Sequence, residues 1–155
     1  MRVRCLTVFV SISKQTGCNI DLLVDLVQKC AKKLDILTEA YTSEGYEVQT
    51  GRLSFNSFDE WLPQDDTLQK NVLHALDQAL VDSKVYFCSL GPARTVEAVA
   101  KVPGLLAMSP RFNTSMLVMP DPMDEYAIMH DVPMCRAAAE VCKTLSTFPP
   151  RDGLS

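Results

Sequence analysis

The chain has no CxxC pair, no run of like charges and no apolar stretch approaching the ~20 residues that span a bilayer. Each absence removes a class of protein. The six cysteines, at positions 5, 18, 30, 88, 135 and 142, lack metal-ligand spacing, and several fall inside apolar periodic segments. Free, mostly buried thiols in a reducing compartment are therefore expected, not a disulfide framework. A net charge of −4 with no basic cluster argues against duplex nucleic acid or an anionic membrane as partner. The opening MRVRCLTVFVSI has the charge and apolarity of a short secretion signal. Thr7 and Ser11 interrupt it and no clean small-x-small site follows, so a strand is the preferred reading. With 47% apolar and 22% charged residues over 155 positions, one cytoplasmic domain is expected, burying roughly two-thirds of its unfolded surface.

What is present is a repeated strand-then-helix pattern. Val3 to Ile12 is nearly continuous in apolar and β-branched residues, as in a strand buried on both faces of a parallel sheet. Asn19 then caps a helix whose apolar stripe is Leu23, Val27, Cys30, Leu34, Leu37 and Tyr41, and Gly45 ends it. Tyr46 to Phe55 alternates as a second strand, with Gly51 marking a bulge or a close backbone approach. Asn56 to Gln64 reads as a loop, and Asp65 or Asp66 opens a helix with Leu68, Val72, Leu73, Leu76 and Leu80 on one side. Lys84 to Leu90 is a third strand closed by Gly91-Pro92, followed by a short helix from Ala93 to Lys101 that is interrupted at Pro103-Gly104 and can resume through Leu105 to Met108. Asn113 to Met119 is a fourth strand, and Pro133 to Ser146 a last helix burying Ala137, Val141, Cys142 and Leu145.

Four successive β-α units without a hairpin signal imply parallel strands joined by right-handed crossovers. The expected fold class is α/β with a parallel sheet, either a complete doubly wound layer or an arc of a larger α/β barrel. Residues 1–147 are expected to form a single, incomplete α/β domain, with 148–155 a flexible tail.

Particular residues resemble a known family. The opening RCLTVFVSI, the stretch Glu44-Gly45-Tyr46-Glu47-Val48-Gln49-Thr50 followed by Arg52, and Ser89-Leu90-Gly91-Pro92 are similar to the N-terminal part of the domain of unknown function 711 proteins, also called uncharacterised protein family 0210. The resemblance covers most of the chain. It implies an α/β barrel similar to the pyruvate-formate-lyase-like fold, in full-length members much longer than this sequence. It transfers no radical chemistry, since nothing here matches a glycyl radical motif, and no catalytic residues.

Parallel α/β sheets gather ligands beyond the carboxyl ends of their strands. The candidate binding residues are therefore Ser11 with Ser13, Arg52 with Ser54, Ser89 with Gly91, and Asp121. Arg52 could clamp a carboxylate or phosphate through two parallel hydrogen bonds, although a salt bridge to a nearby acid is the commoner fate of an arginine. Ser89-Leu-Gly-Pro could offer backbone N–H groups to an anion, but without a full glycine-rich fingerprint a tight turn explains it better. His130 and Cys135 do not establish a nucleophile pair, and His74 has no ligand-spaced neighbour. Asp121, Asp124 and Glu125 could hold a divalent cation, with a solvated capping loop the ordinary alternative. Met108, Met116, Met119, Met123, Met129 and Met134 read as core filling before they read as a binding surface. The functional expectation is an uncharacterised, enzyme-like barrel portion that binds a small anionic metabolite. The alternatives are a non-catalytic α/β binding or regulatory module and a truncated fragment without independent activity; a second copy of the chain, in a homo-oligomer, is the other candidate partner.

Overall fold

The structure, a computed structural model, describes residues 1–118 and 132–149. Its main sheet has four parallel strands: β2 (Leu6–Val10), β4 (Gly51–Phe55), β5 (Phe87–Ala93) and β6 (Phe112–Met116), in that spatial order. A short parallel pair, β1 (Arg2–Val3) with β3 (Glu47–Val48), continues the same ladder at its amino end. The register does not slip between them, for Val3 lies opposite Val48 and Leu6 opposite Gly51. The expected first and second strands are thus each broken once, at Arg4-Cys5 and at Gln49-Thr50, where the Thr50 hydroxyl donates to the Arg4 carbonyl over 2.9 Å.

Two four-residue turns of helix, α1 (Lys14–Gly17) and α3 (Phe58–Trp61), and four longer helices complete the described residues: α2 (Ile20–Ser43), α4 (Asp66–Asp82), α5 (Val96–Ala107) and α6 (Val132–Leu145). Side-chain caps start α2, α4 and α5: Asn19 accepts from the Leu22 N–H at 3.1 Å, Asp65 from Leu68 at 2.8 Å and Thr95 from Ala98 at 3.1 Å. Gly45, with φ +83°, stops α2 as its composition implies. Past the sheet, Leu37 and Tyr41 emerge into solvent, so the buried stripe of α2 ends at Leu34.

One core holds the fold. Leu53 and Phe55, Cys88, Leu90 and Ala93, and Phe112 share it with Leu23, Val27, Leu34, Val72, Leu73, Leu76, Leu80, Val99 and Val102. These strand positions all lie on one face, so α2, α4 and α5 cover the same side of the sheet. Each new strand is added beside the last, without the reversal of order that defines a doubly wound sheet. The other face carries no helix among the described residues. Phe9, expected to be buried, is 81% exposed there. A continuous apolar run implies two covered faces; here one suffices, because Leu6, Val8 and Val10 alone pack against the core.

The third strand lies three residues later than expected. Lys84 adopts φ +55° as the left-handed residue that ends α4, with Val85 N–H bonded back to Leu80 at 2.9 Å. At its far end, Gly91-Pro92 is not a turn but a bulge within β5. Ser89 pairs with Asn113 and Pro92 with Ser115, which leaves one extra residue on β5. Gly91 has φ +92°, and a β-carbon on it would lie 1.9 Å from the Asn56 carbonyl oxygen. Pro103 is accommodated inside a single helix, α5, not at a break. In α6 the buried residues are Met134 and Val141, and Cys142 is exposed.

Gly91→Ala is expected to cost roughly 3 kcal/mol, since both the backbone angle and the Asn56 carbonyl oppose it. Gly45→Ala, in open space, should cost only about 1 kcal/mol. Urea unfolding of the two variants measures the difference. In the same assay Lys84→Gly should raise stability by about 1 kcal/mol, by relieving a left-handed lysine.

Candidate functional site

The helix-free face is built by alternation. On it, Thr7 of β2, Arg52 of β4 and Phe87 of β5 form one cross-strand row, and Phe9, Ser54, Ser89 and Asn113 form the next toward the carboxyl ends. Arg52, Ser54 and Ser89, chosen from sequence for their chemistry, are therefore brought together on adjacent strands. Ser54 and Ser89 lie directly opposite each other. Arg52 does not end its strand, however. It is the second residue of β4 and stands at the amino end, because the strand proper begins at Gly51, after the break. Ser11 lies just beyond β2 and is exposed, Ser13 is spent capping α1, and Gly91 serves the bulge. Asp121, Asp124, Glu125 and His130 lie outside the described residues, as do Met119, Met123 and Met129.

Arg52 opens onto a cleft of about 410 Å³ at the break in the ladder, lined by Arg4, Gln49 and Thr50 on one side and by Phe87, Arg111 and Asn113 on the other. Three arginines, Arg4, Arg52 and Arg111, are among its lining residues, and no acidic residue is. Arg111 is partly neutralised from behind by Asp77 at 3.2 Å, and the Ser109 hydroxyl donates to the same carboxylate over 2.5 Å. Arg52 has no acid partner among the described residues. Its Nε instead donates to the Cys5 sulfur over 2.8 Å. The expected salt bridge is replaced by a guanidinium–thiol contact.

That contact sets the chemistry of Cys5. Partial burial raises its pKa, but hydrogen bonding to Thr50, Arg52 and Thr7 and the charge of Arg52 outweigh it, so the thiol titrates below its ordinary value. Cys88, sealed in the core beneath β5, is shifted the other way by burial alone. Cys30 and Cys88 are buried, Cys5 is partly so, and Cys18, Cys135 and Cys142 are exposed; all six are free. The expectation of mostly buried thiols fails because helices carry three of them on or near solvent-facing positions.

Beyond the carboxyl ends the polar groups of the described residues are largely committed. Asn56 accepts from the Ile12 N–H at 2.7 Å and donates to Glu60 at 2.8 Å, and Glu60 pairs with Arg94 at 2.8 Å. These three residues were hidden in stretches that read as loop or helix start. Nearby, a smaller cavity of about 290 Å³ sets Asp59 and Glu97 beside Lys101, so its charges are mixed. Among the described residues no cluster of three or more His, Cys, Asp or Glu could hold a metal ion. No described helix is long and apolar enough to cross a membrane.

Fold and site together define a parallel α/β domain wound in one direction, with helices on one face and a polar, arginine-bearing surface on the other. The model of the family described as Uncharacterised ACR (DUF711) matches residues 1–151. The chain belongs to that family, as the resemblance implied. No functionally curated protein matches it.

The Cys5–Arg52 contact can be tested directly. Iodoacetamide alkylation of Cys5, followed by mass spectrometry, should have its midpoint below the ordinary thiol value. The thiolate is the reactive form and the folded protein favours it. Arg52→Ala removes both a hydrogen bond and a positive charge, so the midpoint should rise. An unchanged profile in the variant would refute the assignment.

Proposed function

We propose that the domain binds a small anionic metabolite, a carboxylate or a phosphate, on its helix-free face, with Arg52 as the principal contact. The observation that carries this reading is a cleft holding three arginines and no acid, in a protein whose net charge is −4. A guanidinium has five N–H donors in a fixed fork. Cys5 engages Nε of Arg52 and leaves the terminal amino groups for a ligand. Ser54, Ser89, Thr7 and Asn113 add hydroxyl and amide donors along the same surface.

The reading is of binding, whether in an enzyme or in a regulatory module, and assigns no reaction. The one-directional strand order supports treating the sheet as an arc of a larger α/β barrel, with the helix-free face toward the lumen. Six free thiols favour a reducing, cytoplasmic setting.

A thermal-shift screen with inorganic phosphate and small carboxylates tests the proposal. A ligand present at 100 times its dissociation constant should add about 2.7 kcal/mol of stability. Arg52→Ala should remove that increment while altering the ligand-free protein little, because the side chain is exposed. Equal stabilisation of the two proteins would discard the proposal.

A further inference from the structure

Two aromatic rings flank Arg52 on the helix-free face. Phe87 lies directly across from it on β5, one strand spacing of roughly 4.8 Å away. Phe9 lies on β2, one strand over and two residues further along, which places it roughly 8 Å from Arg52 on the pleated surface. Phe9 is 81% exposed, more than any other large apolar side chain in a described strand. The ring pairs of the described residues, Tyr41 with Tyr46 and Phe55 with Trp61, involve neither Phe9 nor Phe87. Phe9 is therefore open to receive another ring, whereas Phe87 is half-buried.

Building on the anion-binding reading above, we infer that the preferred ligand is an aromatic anion: a planar ring bearing a carboxylate or phosphate. Offset or edge-on packing against Phe9 suits a flat ring. The separation of Phe9 from Arg52 suits an anionic group attached to that ring, held by a forked pair of hydrogen bonds. Ser54 and Ser89, between and beside the two anchors, can hydrogen-bond polar substituents of the ring. A bare anion would use the arginine and leave Phe9 in water.

Isothermal titration of the full chain with two matched pairs of probes tests this: phenyl phosphate against inorganic phosphate, and benzoate against acetate. The ring-bearing member of each pair is expected to bind about tenfold more tightly. Phe9→Ala should bring both ratios to about one while leaving the affinity for inorganic phosphate within about twofold. Arg52→Ala should abolish binding of all four. Equal affinities within each pair for the unmodified protein would overturn the ring preference and leave the anion site standing. Failure of all four to bind would overturn both. A loss of inorganic phosphate binding in Phe9→Ala would make Phe9 a support of the strand and not a ligand contact. Sedimentation supplies one more outcome: a dimer that dissociates on Phe9→Ala would mean that a second copy covers the ring, and would also overturn the inference.

Discussion

The short segment from Asn56 to Trp61, which follows β4, fastens three strands together at their carboxyl ends. The Asn56 carbonyl rests against Gly91 of β5, at a distance no other residue would allow, and accepts the Trp61 indole N–H at 3.2 Å. The Asn56 side chain closes on both the N–H and the carbonyl of Ile12, just past β2. Ser57 donates to the Pro92 carbonyl at 2.5 Å. On the outer side Gly17 leaves room for the Trp61 carbonyl, which a β-carbon would meet at 2.1 Å. Phe58 and Trp61 are fully buried behind these contacts. Each aromatic side chain contributes on the order of 2–3 kcal/mol by leaving water, so the polar clasp is backed by apolar burial and does not rely on hydrogen bonds alone.

Given that clasp, the asymmetry of the sheet follows. Strands added in sequence order keep every long crossover helix on one side, and the apolar alternation of β2, β4 and β5 turns toward them. The remaining positions are released from packing, and they are Thr7, Arg52, Ser54, Ser89 and Asn113, with Phe9 and Phe87. Parallel sheets ordinarily have both faces covered. A polar, cationic surface in that position is consistent with contact to something other than a helix of the described residues. Locally Arg52 opposes the protein's net negative charge.

Local chemistry was legible in the sequence where its causes are local. Asn19 and Gly45 bound α2 because a capping oxygen and a left-handed glycine act within one turn. The parallel order was legible from the spacing of strand and helix patterns. The position of β5 was not. Gly91-Pro92 has the composition of a turn, and only the Asn56 carbonyl, 35 residues away in sequence, makes it a bulge. Arg52 reads from the sequence as ending a strand and instead stands near the start of one, because one unbroken alternation from Tyr46 to Phe55 conceals the interruption at Gln49-Thr50. Its contact with Cys5 spans 47 residues and depends on register. An apolar run does not reveal which of its residues meets a helix, so the sequence does not distinguish Phe9 from Val8 or Val10.

Ligands of parallel α/β proteins gather at carboxyl ends because loops there bring unpaired donors together. Among the described residues those donors are largely consumed. Asn56, Ser57, Ser13 and Thr114 each complete a structural hydrogen bond, the last to the Gly91 carbonyl, and Glu60 neutralises Arg94 in an exposed ion pair. Such a pair contributes little to stability, yet it leaves no net charge for an anion. At the amino end the ladder is interrupted, the cleft has no acid among its lining residues, and a thiol occupies only one of the five donors of Arg52. The contrast between committed and uncommitted donors, more than proximity to either pole, distinguishes the face that includes Arg52.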